Sequence, residues 1–204
     1  MSGGVLSDGI LTVQVPAGWI ALPGQDEDVD TRIANILDGL DFGENRDEPA
    51  GRLAAALRTV TAIAAALPAG ARRSFAFVIA PHTGRVEALL SMRVSRIAPG
   101  AYDNYLAAAR SFSGDESTEV IRRTVDEVEV PTGRGVLSHD FTLPVAREGV
   151  PNPAMERTFL ALFPHGGETG VEFTLLTQNL ALFSDTGAYL MALAAGEDPS
   201  AGDD

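Results

Sequence analysis

The 204-residue chain contains no cysteine and no lysine. Without cysteine there is no disulfide framework, no thiolate nucleophile and no thiolate metal ligand. Without lysine there is no Schiff-base amine, no phosphate-loop lysine and no lysine general base. All fifteen basic residues are arginine. Histidine is scarce: His82, His139 and His165 are the only three, so imidazole ligands are few and no metal site is expected. No cofactor motif stands out either. Long apolar runs are also missing. The longest, Leu53 to Leu67, is interrupted by Arg58, Thr59 and Thr61 and falls short of the ~18–20 apolar residues of a membrane span. Met1 to Gly9 has neither the basic nor the apolar region of a signal peptide, so a cytoplasmic location is expected.

What is present is acid and apolar surface. Hydrophobic residues make up 45% and mean hydropathy is +0.08, which excludes wholesale disorder. A chain of this length buries roughly 70% of its unfolded surface and needs no covalent staple. The net charge of −13 repels phosphate backbones and anionic lipid heads. Nucleic acid and membrane surfaces are therefore not expected partners, whereas a basic protein fits.

Periodicity divides the chain into elements. Leu11, Val13 and Val15 alternate as a strand that runs into the turn Pro16-Ala17-Gly18 and then Trp19. Val29, Ile33, Ile36, Leu37 and Leu40 fall on one helical stripe behind Asp26, Asp28 and Asp30, which suit a cap. A second helix is predicted from Pro49 to Leu67 and stopped by Pro68-Ala69-Gly70. The period then drops to two. Phe75, Phe77 and Ile79 alternate, Pro81-His82-Thr83-Gly84 turns, and Leu90, Met92 and Val94 alternate again as the second arm of a hairpin.

A third helix carries Tyr102, Tyr105, Leu106, Ala109 and Phe112. Strands are predicted at Glu119–Val130, Gly135–Leu143, Ala154–Phe163 and Val171–Gln178, with turns at Glu148–Pro153 and Pro164–Gly170. A last helix starts near Ser184-Asp185 and ends near Ala195. Short connections make the sheet mostly antiparallel. The expected class is α+β: an α/β/α sandwich around about six to seven strands. One domain covers residues 1–195, and residues 196–204 read as a disordered acidic tail.

The candidate chemistry is thin. Ser138-His139-Asp140 has triad composition, but neighbouring strand residues point to opposite faces, so His139 parts from the other two and joins Leu137 and Phe141 on the apolar face. Asp26, Asp28 and Asp30 mimic a calcium loop, yet its sixth and twelfth positions are Thr31 and Leu37 instead of Gly and Glu. Gly166-Gly167-Glu168-Thr169-Gly170 lacks a phosphate-loop lysine and leads into a strand, so it reads as a turn. His82 and His165, both in turns, would approach each other only if their hairpins were neighbours. No catalytic residue is assigned. The weak ligand- or partner-binding candidates are Trp19, Tyr102, Tyr105 and His139.

Three segments carry a family likeness. A strand closing on Val15-Pro-Ala-Gly-Trp19 resembles the opening of the PsbP-like superfamily, which includes Mog-type and uncharacterised actinobacterial proteins. Val128-Glu-Val-Pro-Thr-Gly-Arg134 and Val171-Glu-Phe-Thr-Leu-Leu-Thr-Gln-Asn-Leu180, followed by Phe183 and a helix, resemble segments of the actinobacterial members. The likeness implies the same sandwich and no enzyme activity. It implies a protein that binds others or assists assembly, and an assembly or secretion accessory for a basic client is one concrete form of this expectation. The alternatives are a small-ligand binder or enzyme with a pocket near Trp19 and His139, and a structural subunit of a homo-oligomer.

Overall fold

A computed structural model describes residues 5–7, 12–24, 26–67, 71–115, 118–131, 133–144 and 153–199. The stop at Pro68–Gly70, most of the Glu148–Pro153 turn, Leu11, Thr132 and the last five residues lie outside them.

The chain opens with a two-stranded antiparallel ribbon, β1 (Val5–Ser7) and β2 (Thr12–Gln14). β3 (Trp19–Ala21) follows the Pro16–Gly18 turn. Then come α1 (Val29–Asp38) and α2 (Asp47–Ala66), β4 (Ala71–Phe77), a short 3-10 turn (Pro81–Thr83) and β5 (Ala88–Arg96). α3 (Ala101–Ser111) leads to the two-residue β6 (Gly114–Asp115). Four long strands succeed it: β7 (Thr118–Val130), β8 (Gly133–Pro144), β9 (Met155–Pro164) and β10 (Thr169–Thr177). α4 (Thr186–Ala195) is the last element.

Eight strands form one sheet in the order β3-β4-β5-β10-β9-β8-β7-β6, every pair antiparallel. Trp19–Ala21 and Gly114–Asp115 form its two short edges. The strand read around Leu11–Val15 does not join it. Thr12–Gln14 pairs with Val5–Ser7 in the separate ribbon. Alternation predicts a strand but not its neighbour.

The period of two sorts the core. Residues of one parity, among them Phe75, Leu90, Met92, Leu160, Phe173 and Leu175, cluster with Leu190, Leu193 and Ala194 of α4. Those of the other parity pack elsewhere. Ala76, Val78 and Leu89 meet Ile33 of α1 and Leu53 and Leu57 of α2, while Val136 meets Tyr102, Leu106 and Ala109 of α3. α4 is apolar on nearly every side, with Leu190 and Leu193 fully buried. A helix of that composition needs packing to hold it, since ten residues are too few to be stable alone.

Local signals place the helix ends. Asp28 accepts from Thr31 N at 2.7 Å and caps α1, while Asp30 pairs with Arg58 on α2 at 2.8 Å. Asp185 accepts from Ala188 N at 2.9 Å and caps α4. Arg72 donates to the carbonyls of Ala64 and Leu67 at the end of α2. Ile79 lies past the end of β4 and is 59% exposed, so the expected alternation stops at Phe77.

The first residues of the expected tail close α4. Gly196, with φ +79°, donates to Leu193 O, and Glu197 N donates to Ala192 O at 2.9 Å, closing the helix in a left-handed cap. Among the described residues no helix is long and apolar enough to cross a membrane.

Candidate functional site

The residues around Trp19 form an aromatic cluster. The turn before Trp19 requires Gly18: its φ is +92°, and a Cβ there would lie 2.6 Å from the Phe77 ring. That close approach lets β3 pair with β4 so that Trp19 faces Phe77. The Trp19 ring sits 4.9 Å from Phe77 and 6.4 Å from Tyr189 of α4, and its Nε1 donates to the Tyr189 hydroxyl at 2.7 Å. Phe183, in the loop before α4, completes the group at 4.8 Å from Tyr189 and 6.1 Å from Phe77. Such tilted ring pairs add stability beyond their buried area.

Beside this cluster lies an open cleft of about 800 Å³. Its walls include Pro16, Ala17, Phe77, Phe183, Tyr189 and the small α4 residues Ala188 and Ala192. The acidic residues Asp185, Glu197 and Asp198 also line it. Burial pushes the Tyr189 phenol up to about 12, with the negative charge of Asp198 adding to that and the Trp19 hydrogen bond opposing it. The phenol is therefore neutral at physiological pH. Aromatic faces attract cations, and acid side chains do the same, so the cleft suits a positively charged group carried on an apolar stem.

Trp19 is not among the residues lining the cleft; it contacts two that are, Phe77 and Tyr189. The other sequence candidates lie elsewhere. His139 shares the α4 side of the sheet, as its alternation with Ser138 and Asp140 predicted. Its Nε2 is 2.7 Å from Glu156 Oε1. Thr186, the first residue of α4, donates to that same oxygen at 2.9 Å and is 2.7 Å from the Thr158 hydroxyl. This polar knot fastens the start of α4 to β8 and β9.

Tyr102 and Tyr105 lie on the opposite face, beneath α3. The Tyr102 hydroxyl donates to Glu127 at 2.8 Å, and the Arg134 guanidinium stacks 3.7 Å from its ring centre. Glu127 also accepts from Arg110 at 2.9 Å, and the hydrogen bond from Tyr102 followed by that from Arg110 holds its carboxyl below the usual range. Burial, followed by the charge of Glu172, pushes the Tyr105 phenol well above its ordinary value. Glu172 is in turn bonded to Arg93 at 3.1 Å. The four candidates therefore occupy three places on the sheet.

Asp140 and Ser138 face α3, away from His139. Asp140 is fully buried between Arg123 at 3.2 Å and Arg157 at 3.1 Å, with the Phe112 ring 4.8 Å from the Arg123 guanidinium. Ser138, His139 and Asp140 thus share no reaction centre. His82 and His165 sit at opposite ends of the strands. The β4–β5 turn adjoins Ala88 and the β9–β10 turn adjoins Arg96, ~27 Å apart along β5.

Phe77, Phe183, Tyr189 and the acidic residues of the cleft were not singled out from sequence as site residues. The one legible signal was Trp19, whose indole N–H seeks a partner when half-buried. Its partner lies 170 residues away, beyond any local pattern. A scan of protein-family models and a search of curated proteins return no match to this chain.

Proposed function

We propose that this chain is a non-catalytic binding protein of the cytoplasm, serving as an assembly or secretion accessory. It holds a basic, apolar segment of a protein partner in the cleft beside Trp19. The observation that carries this reading is that Phe77, Phe183 and Tyr189 line one cleft together with the acidic residues Asp185, Glu197 and Asp198. An arginine side chain of the partner would lay its stem on the rings and its guanidinium among the acids. The net charge of −13 would draw such a partner in. The division of Ser138, His139 and Asp140 between the two faces supports a binding role over a hydrolytic one. The resemblance of three segments to the PsbP-like superfamily supports it too, and on this reading α4 and the other three helices are the outer layers of an α/β/α sandwich.

Selection from a displayed random-peptide library tests the proposal. Enriched peptides should share Arg or Lys beside an aromatic or Leu, and should perturb the emission of Trp19, which touches two cleft residues. Phe183→Ser should weaken them at least about tenfold. A selection with no basic consensus, or peptides indifferent to Phe183→Ser, would refute it.

A further inference from the structure

A second cleft, of about 580 Å³, is lined by residues of α1, α2, β4 and the loop after β3. It shares no lining residue with the cleft beside Trp19. Clefts of this size hold small molecules. Leu22, Val29, Ala64 and Phe75 make part of its wall apolar. Arg32, Arg72 and Arg73 make another part basic, against a single acid, Glu27. The chain as a whole carries −13, so the charge balance is reversed here.

The acids of this stretch have partners of their own. Glu27 accepts from Gly24 N at 2.9 Å, Asp28 from Thr31 N at 2.7 Å, and Asp30 pairs with Arg58 at 2.8 Å. Among the described residues, Arg32 and Arg73 form no ion pair. Two polar atoms of the wall, Arg32 Nε and Thr61 Oγ1, are shut off from solvent, and neither has a hydrogen-bond partner among the described residues. A buried donor left unmatched costs free energy, so each of these calls for an acceptor. Arg72 is held in place by donating to the carbonyls of Ala64 and Leu67. Its ladder partner on β5 is Arg93, so two like charges lie opposite each other beside the cleft.

We propose that this cleft binds a small organic anion: a carboxylate or phosphate on a compact apolar body. The oxyanion accepts from the Arg32 guanidinium and the Thr61 hydroxyl, in the positive field of Arg72 and Arg73. A guanidinium is a planar fork of donors that fits two oxygens of either headgroup. The apolar body lies on Leu22, Val29 and Phe75. Three arginines repel a cation, and a wholly apolar ligand leaves both buried donors unmatched.

Nitrogen-15 NMR of the full chain, following the Arg32 Nε–H resonance, tests this. The probes are benzoate, phenyl phosphate and, as the uncharged control, benzamide. At least one anion should shift that resonance with a Kd below ~1 mM, and benzamide should bind at least about tenfold more weakly. The tighter anion identifies the headgroup. Arg32→Gln should raise Kd at least about tenfold, and Thr61→Val, which keeps the shape, about threefold. Neither change breaks a hydrogen bond of those two atoms, so urea midpoints should stay near wild type. Arg52→Gln, which removes a charge outside the cleft, and Phe183→Ser, in the other cleft, should leave Kd unchanged. A chain that binds neither anion at ~10 mM would overturn the proposal. So would benzamide bound as tightly as the anions, or binding indifferent to both Arg32→Gln and Thr61→Val.

Discussion

Replacing Tyr189 by Phe removes one oxygen from the Trp19 cluster and leaves every ring in place. The lost contact is the 2.7 Å hydrogen bond from Trp19 Nε1. A hydrogen bond of this kind contributes ~1 kcal/mol net, and a donor left half-buried without an acceptor raises the cost toward ~2. The added apolarity of Phe offsets a few tenths, so Tyr189→Phe should destabilise by about 1–1.5 kcal/mol. In a chain of about 200 residues that lowers Tm by roughly 2–6 °C. Urea unfolding followed by Trp19 emission and by circular dichroism should show a lower midpoint with an unchanged slope. A double-mutant cycle with Trp19→Phe isolates the bond: the two changes should be non-additive by about 1 kcal/mol. A Tyr189→Phe protein within ~0.3 kcal/mol of wild type, or an additive cycle, would refute the assignment of Tyr189 as the brace that holds Trp19.

Two further expectations concern charge. Burial holds the Tyr189 phenol near 12 against an ordinary 10.0, so the unfolded chain ionises first. Stability that is full below pH 10 should drain as pH rises toward 12, by roughly 2 kcal/mol from this group. In urea melts Tyr189→Phe should flatten that part of the curve, leaving a slope from Tyr105. On the other face, Asp140→Ala strands two arginines around a fully buried site and should cost about 3–5 kcal/mol by urea denaturation at neutral pH. Asp38→Ala, which breaks the exposed pair with Arg46, should cost less than about 0.5 kcal/mol in the same assay. Equal costs at the two sites would contradict the burial argument.

Much of the fold was legible because its signals are local. Asp28 and Asp185 announce α1 and α4 by offering an oxygen to a backbone N–H three residues on. The Phe75, Phe77 and Leu90, Met92, Val94 alternations fall on the face that packs on α4. The separation of His139 from Ser138 and Asp140 followed from the strand period and holds in the structure. The candidate site was legible only through Trp19. Tyr102, Tyr105 and His139 drew notice as aromatic or titratable side chains, yet each is occupied by a nearby bond: to Glu127, Glu172 and Glu156. Burial and partners of that sort are properties of the packed sheet.

The amino-acid sequence by itself determined the excluded chemistries, the acidic field, the helices and long strands, and the two faces of each strand. These depend on composition or on backbone geometry repeating every two or 3.6 residues. The tertiary structure decided the rest. It set Thr12–Gln14 apart from the main sheet and brought β10 beside β5, across more than seventy residues of chain. It also delivered Tyr189 to Trp19. Any alternating strand can pair with any other through the same backbone hydrogen bonds. The choice is made by which apolar faces must share one core, and that is settled only when all the elements pack together.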